Sequence, residues 1–443
     1  MLCTLVHMTS TTVPPSVRAA TTATYAAFIG SGFAFASWAS RIPQVRDSLG
    51  LDAAALGLVL LAIAAGSLLA LPLSGPVVAR IGSSRTVMWM AVLLGVGLAT
   101  AAAGSLAGVV PVVIGLFLLG FANGAWDVAM NVQGTVVERH LGRSIMSRFH
   151  AGFSLGTVAG ALLGAAMVAL HVPVAAHLAV VSVVVVAGVV RYARRFIPDH
   201  DGADHDGADH DRADHDRADH DRADHDGAAG DRAESVAAGD VPRGGALTAW
   251  REPRTLLIGV FVLAFAFAEG VGNDWISIAA IDGHHVSPAY GTLAFAAFLT
   301  AMTTGRWFGP GLLDRYGRTP VVRALALIGI VGVALFVFGP SPVYAFAGTL
   351  LWGLGASLGF PVGMSAGGDD PRRAAGRVSV IASIGYCSFL AGPPTIGFLG
   401  NHFTVLRALI VVAVLLTVAA LIATSVRPLR VETAESGDAL PVP

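Results

Sequence analysis

The sequence contains no lysine, few other charged residues and only two cysteines. Charged side chains make up 13% of its 443 residues, whereas soluble globular proteins usually carry about 25%. Cys3 and Cys387 are too few and too far apart for a disulfide framework or a metal site. The net charge of −1 gives no sign of a nucleic-acid partner. These absences disfavour a soluble domain, a disulfide-stabilised scaffold and a nucleic-acid-binding protein.

The sequence signatures of catalysis are also missing. There is no nucleotide-binding loop, no soluble catalytic domain and no Ser-His-Asp or metal-ligand constellation. The sequence therefore predicts neither an enzyme nor an ATP-driven pump, and it predicts no cofactor and no bound metal.

Hydrophobic residues, by contrast, make up 54% of the chain and form long runs. Each run is close to the ~20 residues that a helix needs to cross a bilayer. Stretches such as 180–190 and 408–423 have almost no polar residues, unlike the amphipathic helices of a soluble protein. The sequence predicts an all-α integral membrane protein with twelve transmembrane helices, at 19–40, 53–73, 86–106, 109–131, 147–170, 172–190, 254–277, 288–308, 321–339, 342–365, 377–400 and 404–425.

The arginines predict the orientation of these helices. With both termini in the cytoplasm, only Arg41, Arg46 and Arg407 fall on outward loops, against 25 on the inner side, or 20 without the long central linker. Short cytoplasmic loops are enriched in basic residues. The composition, rich in Ala, Gly and Val, is typical of a GC-rich bacterial coding sequence. We therefore expect a multi-pass protein of the bacterial cytoplasmic (inner) membrane, with both termini cytoplasmic.

The two halves of the chain share landmarks. A shift of 235 positions aligns Arg80 and Gly82 with Arg315 and Gly317. Many secondary transporters are built by duplication, with the substrate site near the midplane between the halves. The sequence thus predicts two pseudo-symmetric six-helix bundles, with an N-terminal tail at 1–18, bundles at 19–190 and 254–425, a cytoplasmic linker at 191–253 and a C-terminal tail at 426–443.

The loop after the eighth segment resembles the signature loop of the major facilitator superfamily. It reads Gly-Leu-Leu-Asp-Arg-Tyr-Gly-Arg over 311–318, and its counterpart reads Gly-Pro-Val-Val-Ala-Arg-Ile-Gly over 75–82. Ala79 stands where the family usually has Asp, which puts the usual Asp-based latch of the first half in question. The resemblance covers both halves. It implies the superfamily fold, alternating access by rocking of the bundles, and a monomer.

The chemistry of these loops suits a conformational switch. Asp314 can accept hydrogen bonds at a helix N-terminus, while Arg315 or Arg318 can reach carbonyl groups at helix C-termini. In the first half, Gly82 provides the tight turn beside Arg80. Such contacts can form in one conformation and break in another. The alternative is a solvated basic loop that only follows the charge rule.

Shorter motifs resemble a bacterial, sugar-permease-like branch of the superfamily that includes a transporter of rhizopine, an inositol derivative. The motifs are Trp38-x-x-Arg41-Ile-Pro43, Asn131-x-Gln133-Gly134, Phe149-His150, Glu269-Gly270 and Asp274-Trp275. This resemblance implies a sugar, a polyol or an inositol-like compound as the substrate.

Three polar residues share one face of the fourth segment. Asn123, Asp127 and Asn131 are spaced four residues apart, and costly ionisable groups in membrane helices usually face the bundle interior. The fifth segment begins with Arg148 and His150, either of which can pair with Asp127. Asp127 is thus either a cytoplasmic gate or proton-linked carboxylate, or a static ion pair. For His150, an ordinary interface histidine is the alternative to a proton relay.

The seventh segment carries Glu269, Asn273 and Asp274. Glu269 and Asn273 lie one turn apart, and Asp274 lies near the outer end. A carboxylate in a low-dielectric cavity can bind and release a proton near neutrality. Glu269 is therefore the foremost predicted residue for substrate binding or proton coupling, the alternative being a hydrogen-bonded Glu that serves packing.

The outer ends of the first and seventh segments are repeat partners, so they are expected to lie close together. We hypothesise that Arg41 pairs with Asp274 or Glu269 as a periplasmic gate. The alternatives are a solvated Arg41 and a Trp38 that only anchors the membrane interface.

Aromatic and glycine residues add two further expectations. Trp126, Trp275 and Tyr386 can stack on a sugar-like ligand, although each is as readily a packing residue. In the fifth segment Gly recurs every four residues from 152 to 164, which predicts close helix packing. The Pro that drug antiporters of the superfamily carry there is absent, which disfavours that function.

The linker contains a tandem repeat. Residues 199–226 repeat Asp-His-Asp-(Gly or Arg)-Ala, and a five-residue period does not match the 3.6-residue helix. We expect disorder. The favoured role is a spacer, and the alternative is loose metal binding.

Together these features predict a secondary active transporter for a small polar solute, with protons as the coupling ion and the lipid bilayer as its surroundings. A proton-coupled drug or metabolite efflux antiporter is the alternative within this class. A membrane sensor with a transporter fold is the alternative from another class, because fold alone does not fix function.

Overall fold

The first six predicted segments form helices α1 to α7. The computed structural model describes residues 13–199, 248–370 and 373–429. The repeat at 200–226, most of both tails, and Cys3 therefore lie outside the described residues. The helices of the first set are α1 (Pro15–Ala39), α2 (Ile42–Leu49), α3 (Ala53–Ile81), α4 (Ser83–Ala107), α5 (Val109–Leu141), α6 (Met146–Ala169) and α7 (Val174–Ala193). The short α2 was not predicted.

The last six predicted segments form a second set. They are α8 (Pro253–His284), α9 (Pro288–Tyr316), α10 (Arg318–Phe338), α11 (Pro342–Ala356) with α12 (Gly359–Gly367), α13 (Ala374–His402), and α14 (Val405–Ala408) with α15 (Ile410–Ile422) and a final 3₁₀ turn, Ala423–Val426. The described part of the chain is thus almost wholly helical, and each of the twelve predicted segments coincides with a helix or a broken helix.

Most of these helices can span a bilayer. Ten described spans are long and apolar enough to do so. The helices α1 and α9 are equally long but more polar. Helix α1 buries Thr24, Ser31 and Ser37 inside the molecule, and α9 contains Arg306. Several large apolar side chains are largely exposed, such as Leu106, Val343 and Leu421. Such surfaces suit contact with lipid.

The predicted repeat is visible in the backbone. Gly82 joins α3 to α4 with φ 83° and ψ 156°, and Gly317 joins α9 to α10 with φ 80° and ψ 164°. The amide of each donates a 2.8 Å hydrogen bond to the residue four positions earlier, Val78 or Leu313. This left-handed φ favours glycine. The shift of 235 positions therefore relates equivalent backbone turns as well as identical residue types.

Helix packing follows the same two-fold pattern. Within the first set α1 packs on α6 and α3 on α5, and within the second set their counterparts α8 packs on α13 and α9 on α11. Between the sets, α3 packs on α13 and α6 on α9. We call the end where α7 stops and α8 starts the linker end, and the opposite end the far end.

Candidate substrate-binding site

A cavity of about 260 Å³ lies between the two helix sets. Helices α1, α3 and α5 form one side, and α8 and α13 form the other. Most of its lining is apolar, with a few polar groups, which is the usual composition of a small-molecule site. The polar side chains are Ser67, Asn123 and Asp127 from the first set and Asn273, Asp274 and Tyr386 from the second.

The polar face of α5 provides one wall. Asn123 and Asp127 line the cavity, and the Oδ1 atom of Asn123 accepts a 2.8 Å hydrogen bond from Ser31 on α1. Asn131 lies one turn further and donates to the backbone carbonyl of Asp127 at 2.8 Å and to its carboxylate at 3.2 Å. The predicted common face of these three residues is present, with two of them on the cavity.

The expected direct pairing of Asp127 with Arg148 or His150 is wrong. The Nε2 atom of His150 lies 3.2 Å from the Oδ1 atom of Asn131, so Asn131 separates the histidine from the carboxylate. Arg148 is exposed at the start of α6. The reason is geometric, because α6 starts beside the turn of α5 that carries Asn131, one turn beyond Asp127.

The second wall comes from α8. Gly270, Asn273 and Asp274 line the cavity. Within the part of the chain that the structure describes, the Asp274 carboxylate has no hydrogen-bond or ion-pair partner, and the Oδ1 atom of Asn273 is buried without a donor. Asp274, expected near an outer gate, thus faces the cavity instead.

Glu269 is held by an arginine that sequence reasoning missed. The Nη2 atom of Arg306 on α9 lies 2.7 Å from the Oε2 atom of Glu269, and the Arg306 Nε atom donates to the carbonyl of Ser357 at 3.3 Å. The signal was available, since Arg306 lies inside the predicted eighth segment, 288–308.

The predicted gate between Arg41 and Asp274 or Glu269 is not formed. The Arg41 side chain is buried and donates to the carbonyl of Val172, before α7. The far-end ion pair is made instead by Arg46 of α2, whose Nη2 atom lies 3.0 Å from Asp282 on α8. Arg41 precedes α2 and its side chain points into the first helix set. It therefore cannot make the ion pair with the second set that Arg46, one turn later, makes with Asp282.

A second contact fastens the far end. The Nδ2 atom of Asn401 on α13 donates to Asp52 at 2.9 Å, and its Oδ1 atom accepts from the amide of Ala54 at 3.2 Å. Asp52 also accepts from the amide of Ala55, which lowers the pKa of its carboxyl group. Hydrogen bonds between the helix sets thus lie at the far end, on one side of the cavity.

The signature loops lie at the linker end. In the second half, Arg318 pairs with Asp369 at 2.7 Å and with Ser365 at 2.9 Å, and the guanidinium of Arg315 lies over the Tyr316 ring, 5.2 Å from its centroid. Asp314 and Arg80 are exposed, with no ion pair among the described residues. The loops therefore remain predicted switch elements, now with a partner for Arg318.

Asp199, which lies outside the first signature loop, contacts the N-terminus of α4, the helix that follows this loop. The carboxylate of Asp199 accepts hydrogen bonds from the backbone amide and the hydroxyl of Ser83, the first residue of α4. Negative charge at a helix N-terminus is favourable. Asp199 thus brings a carboxylate to the loop in which Ala79 replaces the usual acidic residue.

The predicted aromatic residues separate into two groups. Tyr386 lines the cavity, and its ring lies 6.3 Å from that of Phe389, another lining residue. Trp126 and Trp275 are fully buried within the helix sets, with Trp126 against α1 near Gly30. Of the three, only Tyr386 is placed to contact a ligand in this cavity.

Comparison with known proteins agrees with this architecture. A family model described as Major Facilitator Superfamily matches residues 24–388. An uncharacterised MFS-type transporter of Yersinia pestis is 30% identical over 400 residues, covering 89% of this chain and 92% of that protein. Membrane protein MosC of Rhizobium meliloti is 27% identical over 398 residues, covering 89% and 87%. The structure of the nucleoside transporter NupG is similar in fold, with a TM-score of 0.66 at 14% identity, covering 93% and 99%.

Proposed function

Because the chain belongs to the major facilitator superfamily, and is therefore a multi-pass membrane transporter and not an enzyme, we propose that it moves a sugar, a polyol or an inositol-like solute by alternating access, coupled to protons. We place it in the bacterial cytoplasmic membrane as a monomer of two six-helix bundles, with both termini cytoplasmic.

The observation that carries this proposal is the set of hydrogen-bond acceptors on one cavity that have few donors and no cation. Asp274 and the Oδ1 atom of Asn273 face it without a donor, and the carboxylate of Asp127 accepts only from Asn131 among the described residues. Acceptors of this kind need donors, and an unsatisfied acceptor in a site is costly. A solute with several hydroxyl groups, or with an ammonium group among hydroxyls, provides those donors, and Tyr386 offers a ring face beside it.

The two cavity carboxylates also support proton coupling. Neither Asp127 nor Asp274 has a cationic partner among the described residues, since Arg306 is engaged with Glu269. A carboxylate in a low-dielectric cavity is stabilised by binding a proton or a cationic group. We therefore move the main coupling role from Glu269 to Asp127 and Asp274. Glu269 keeps a secondary role, because opening its ion pair would free a third carboxylate beside Gly270.

Reconstitution in liposomes with an internal pH-sensitive dye tests the proposal. Sugars, polyols, inositols and cationic drugs are added to the wild type, to Asp127→Asn and to Asp274→Asn. We expect a polyol or a sugar to drive proton flux in the wild type and at least a tenfold loss in both variants. Asp47→Asn, which changes an exposed carboxylate of α2, should retain wild-type flux and is the matched control.

Each other outcome contradicts part of the proposal. Wild-type proton flux in both cavity variants would mean that these two carboxylates take no part in proton coupling. Flux with drugs alone would make the protein an efflux antiporter. Measurable ligand binding without flux of any compound would make it a sensor.

A further inference from the structure

Buried polar atoms without partners are concentrated at the far end of the first helix set. Among the described residues, five neighbouring side chains of this region contain buried nitrogen or oxygen atoms with no hydrogen bond. Polar atoms of this kind are rare in folded proteins and call for an explanation. They belong to Ser37 and Trp38 at the end of α1, Arg41 and Gln44 around the start of α2, and His177 in the first turn of α7.

Arg41 is the charged member of this cluster. Its exposed fraction is 1%, and it precedes α2 as the N-cap residue. Its guanidinium donates to the carbonyl of Val172, but its Nε atom has no acceptor. No carboxylate of the described chain forms an ion pair with it. An uncompensated buried charge costs several kcal/mol, so buried charges are nearly always paired.

The neighbouring groups are mainly donors. The indole Nε1 atom of Trp38, 1% exposed, has no acceptor, and neither ring nitrogen of His177, 4% exposed, has a partner. His177 lies in the first turn of α7, just after the Val172 carbonyl that accepts from Arg41, and the backbone amide of Arg41 donates to the carbonyl of Trp38 at 2.8 Å. At Gln44 the atom without a partner is the acceptor Oε1, and rotation of the amide would present the donor Nε2 in its place.

The helices of the first set pack closely in this region. Gly164 of α6 lies directly against the side chain of Ser40, and the loop between α6 and α7 supplies Val172, whose carbonyl accepts from Arg41. The end of α1, the start of α2 and the first turn of α7 together carry one guanidinium and several N–H or O–H donors. All of them belong to the first helix set, and none lines the cavity between the sets.

We propose that this cluster, centred on Arg41, binds one small monovalent anion of the size of chloride. A single guanidinium calls for one negative charge, and the indole, imidazole and hydroxyl donors can replace the hydration of a halide. A solute carboxylate in the central cavity does not meet this need, because none of the five residues lines that cavity. The anion fixes the start of α2, whose Arg46 makes the far-end ion pair with Asp282.

Thermal unfolding of the purified full-length chain tests this site. Sodium chloride is titrated against sodium gluconate at constant ionic strength. A ligand that binds only the folded state raises the melting temperature with its concentration. We expect a saturable rise with chloride in the wild type and in Arg407→Gln, an exposed arginine of the same end. The rise should be absent in Arg41→Gln.

A conservative variant guards against misfolding of Arg41→Gln. Trp38→Phe removes one donor and keeps most of the ring volume, so it should weaken chloride binding several-fold, seen as a higher half-saturating concentration. Bromide gives a second readout, because it quenches a contacting indole. Part of the tryptophan fluorescence should be quenched saturably in the wild type and not in Trp38→Phe. Equal melting in both salts, or an unchanged chloride effect in Arg41→Gln, would overturn the proposal.

Discussion

Glu252 shows how a single ion pair sets a pH dependence outside the membrane-spanning part. It precedes α8 and accepts a hydrogen bond of 2.6 Å from Arg377 near the start of α13, with Arg373 at 3.3 Å. The hydrogen bond from Arg377 is the main reason that the pKa of Glu252 lies below its ordinary value. A carboxylate whose pKa is lower in the folded state stabilises the protein above its unfolded pKa, roughly 4.3, and loses this effect as the pH falls.

We therefore predict that Glu252→Gln lowers stability at pH 7 by about 0.5 kcal/mol, as expected for a partly exposed pair. The difference from the wild type should shrink as the pH falls through 4 to 3, where Glu252 becomes protonated. Melting temperatures in detergent at pH 7 and at low pH give the measurement. Asp314→Asn, an exposed carboxylate without an ion pair in the described structure, is the control. A pH-independent difference would contradict the assignment.

At the scale of single residues, the sequence predicts the helix face on which a side chain lies better than it predicts the residue with which that side chain pairs. The spacing of Asn123 and Asp127 is enough to place both on one surface, because the period of a helix is fixed. The partner of Glu269 is Arg306, 37 positions away on another helix, and no local pattern encodes such a pair. The sequence likewise predicts only that Arg46 lies in an outer loop, yet its partner Asp282 lies in the other half.

The pair of helices α1 and α6 shows what glycine spacing does at the scale of elements. The predicted face of four-residue glycine spacing on α6 does pack closely, because Gly156 lies against the backbone of Ile29 and Gly160 against that of Phe33. Gly32 of α1 makes the reciprocal contact with Phe153. Backbones can approach this closely because glycine places no side chain at the point of contact.

We predict that Gly156→Ala destabilises the protein by about 1–3 kcal/mol, the usual cost of overpacking. The matched control is Gly188→Ala on α7, where an added methyl group meets no atom within 4 Å. That change should be neutral or stabilising by up to about 1 kcal/mol, since Ala favours the helix. Melting temperatures of the two variants should thus move in opposite directions. A similar shift in the melting temperatures of both variants would mean that Gly156 serves helix flexibility and not close packing.

The presence of the long helices was predictable for a physical reason, whereas their ends were not, since α3 ends at Ile81 and α5 at Leu141, eight and ten residues beyond the predicted segments. Twelve apolar runs of this length indicate helices, because only helices and closed barrels satisfy the backbone in a bilayer and a barrel strand needs only about 9–11 residues. The eight residues of α2 escaped prediction because they lie between two such runs, in a polar stretch that hydropathy does not describe. The break between α11 and α12, at Ser357 and Leu358, also has no hydropathy signal.

At the scale of the whole molecule, the two helix sets are joined asymmetrically. The side-chain contacts Arg46–Asp282 and Asp52–Asn401 fasten the far end. At the linker end, the ion pairs of Arg254, Arg318 and Arg377 join residues within the second set. The proposed alternating access requires the far-end contacts to break when the cavity opens there, so we expect their strength to set the balance between the two conformations.

We predict that Asp282→Asn shifts this balance toward the far-end-open conformation. Loss of a partly exposed ion pair of about 0.5–1 kcal/mol changes a two-state ratio by roughly two- to fivefold. The ratio can be measured from spin-label distances between Ser48→Cys and Phe403→Cys, on opposite helix sets at the far end, with Cys3 and Cys387 replaced by Ser. The longer distance should become more populated in Asp282→Asn.

Asp47→Asn provides the matched control for this experiment. Asp47 also pairs with Arg46, at 2.8 Å, but it belongs to the same short helix and does not join the two sets. Its removal should leave the distance distribution unchanged, since a contact within one set has the same energy in both conformations. If both variants shift the distribution alike, the charge of Arg46 matters only for α2 itself. If neither does, the fastening of the far end rests on the packing of α3 against α13, where Gly57 and Gly397 bring the backbones together.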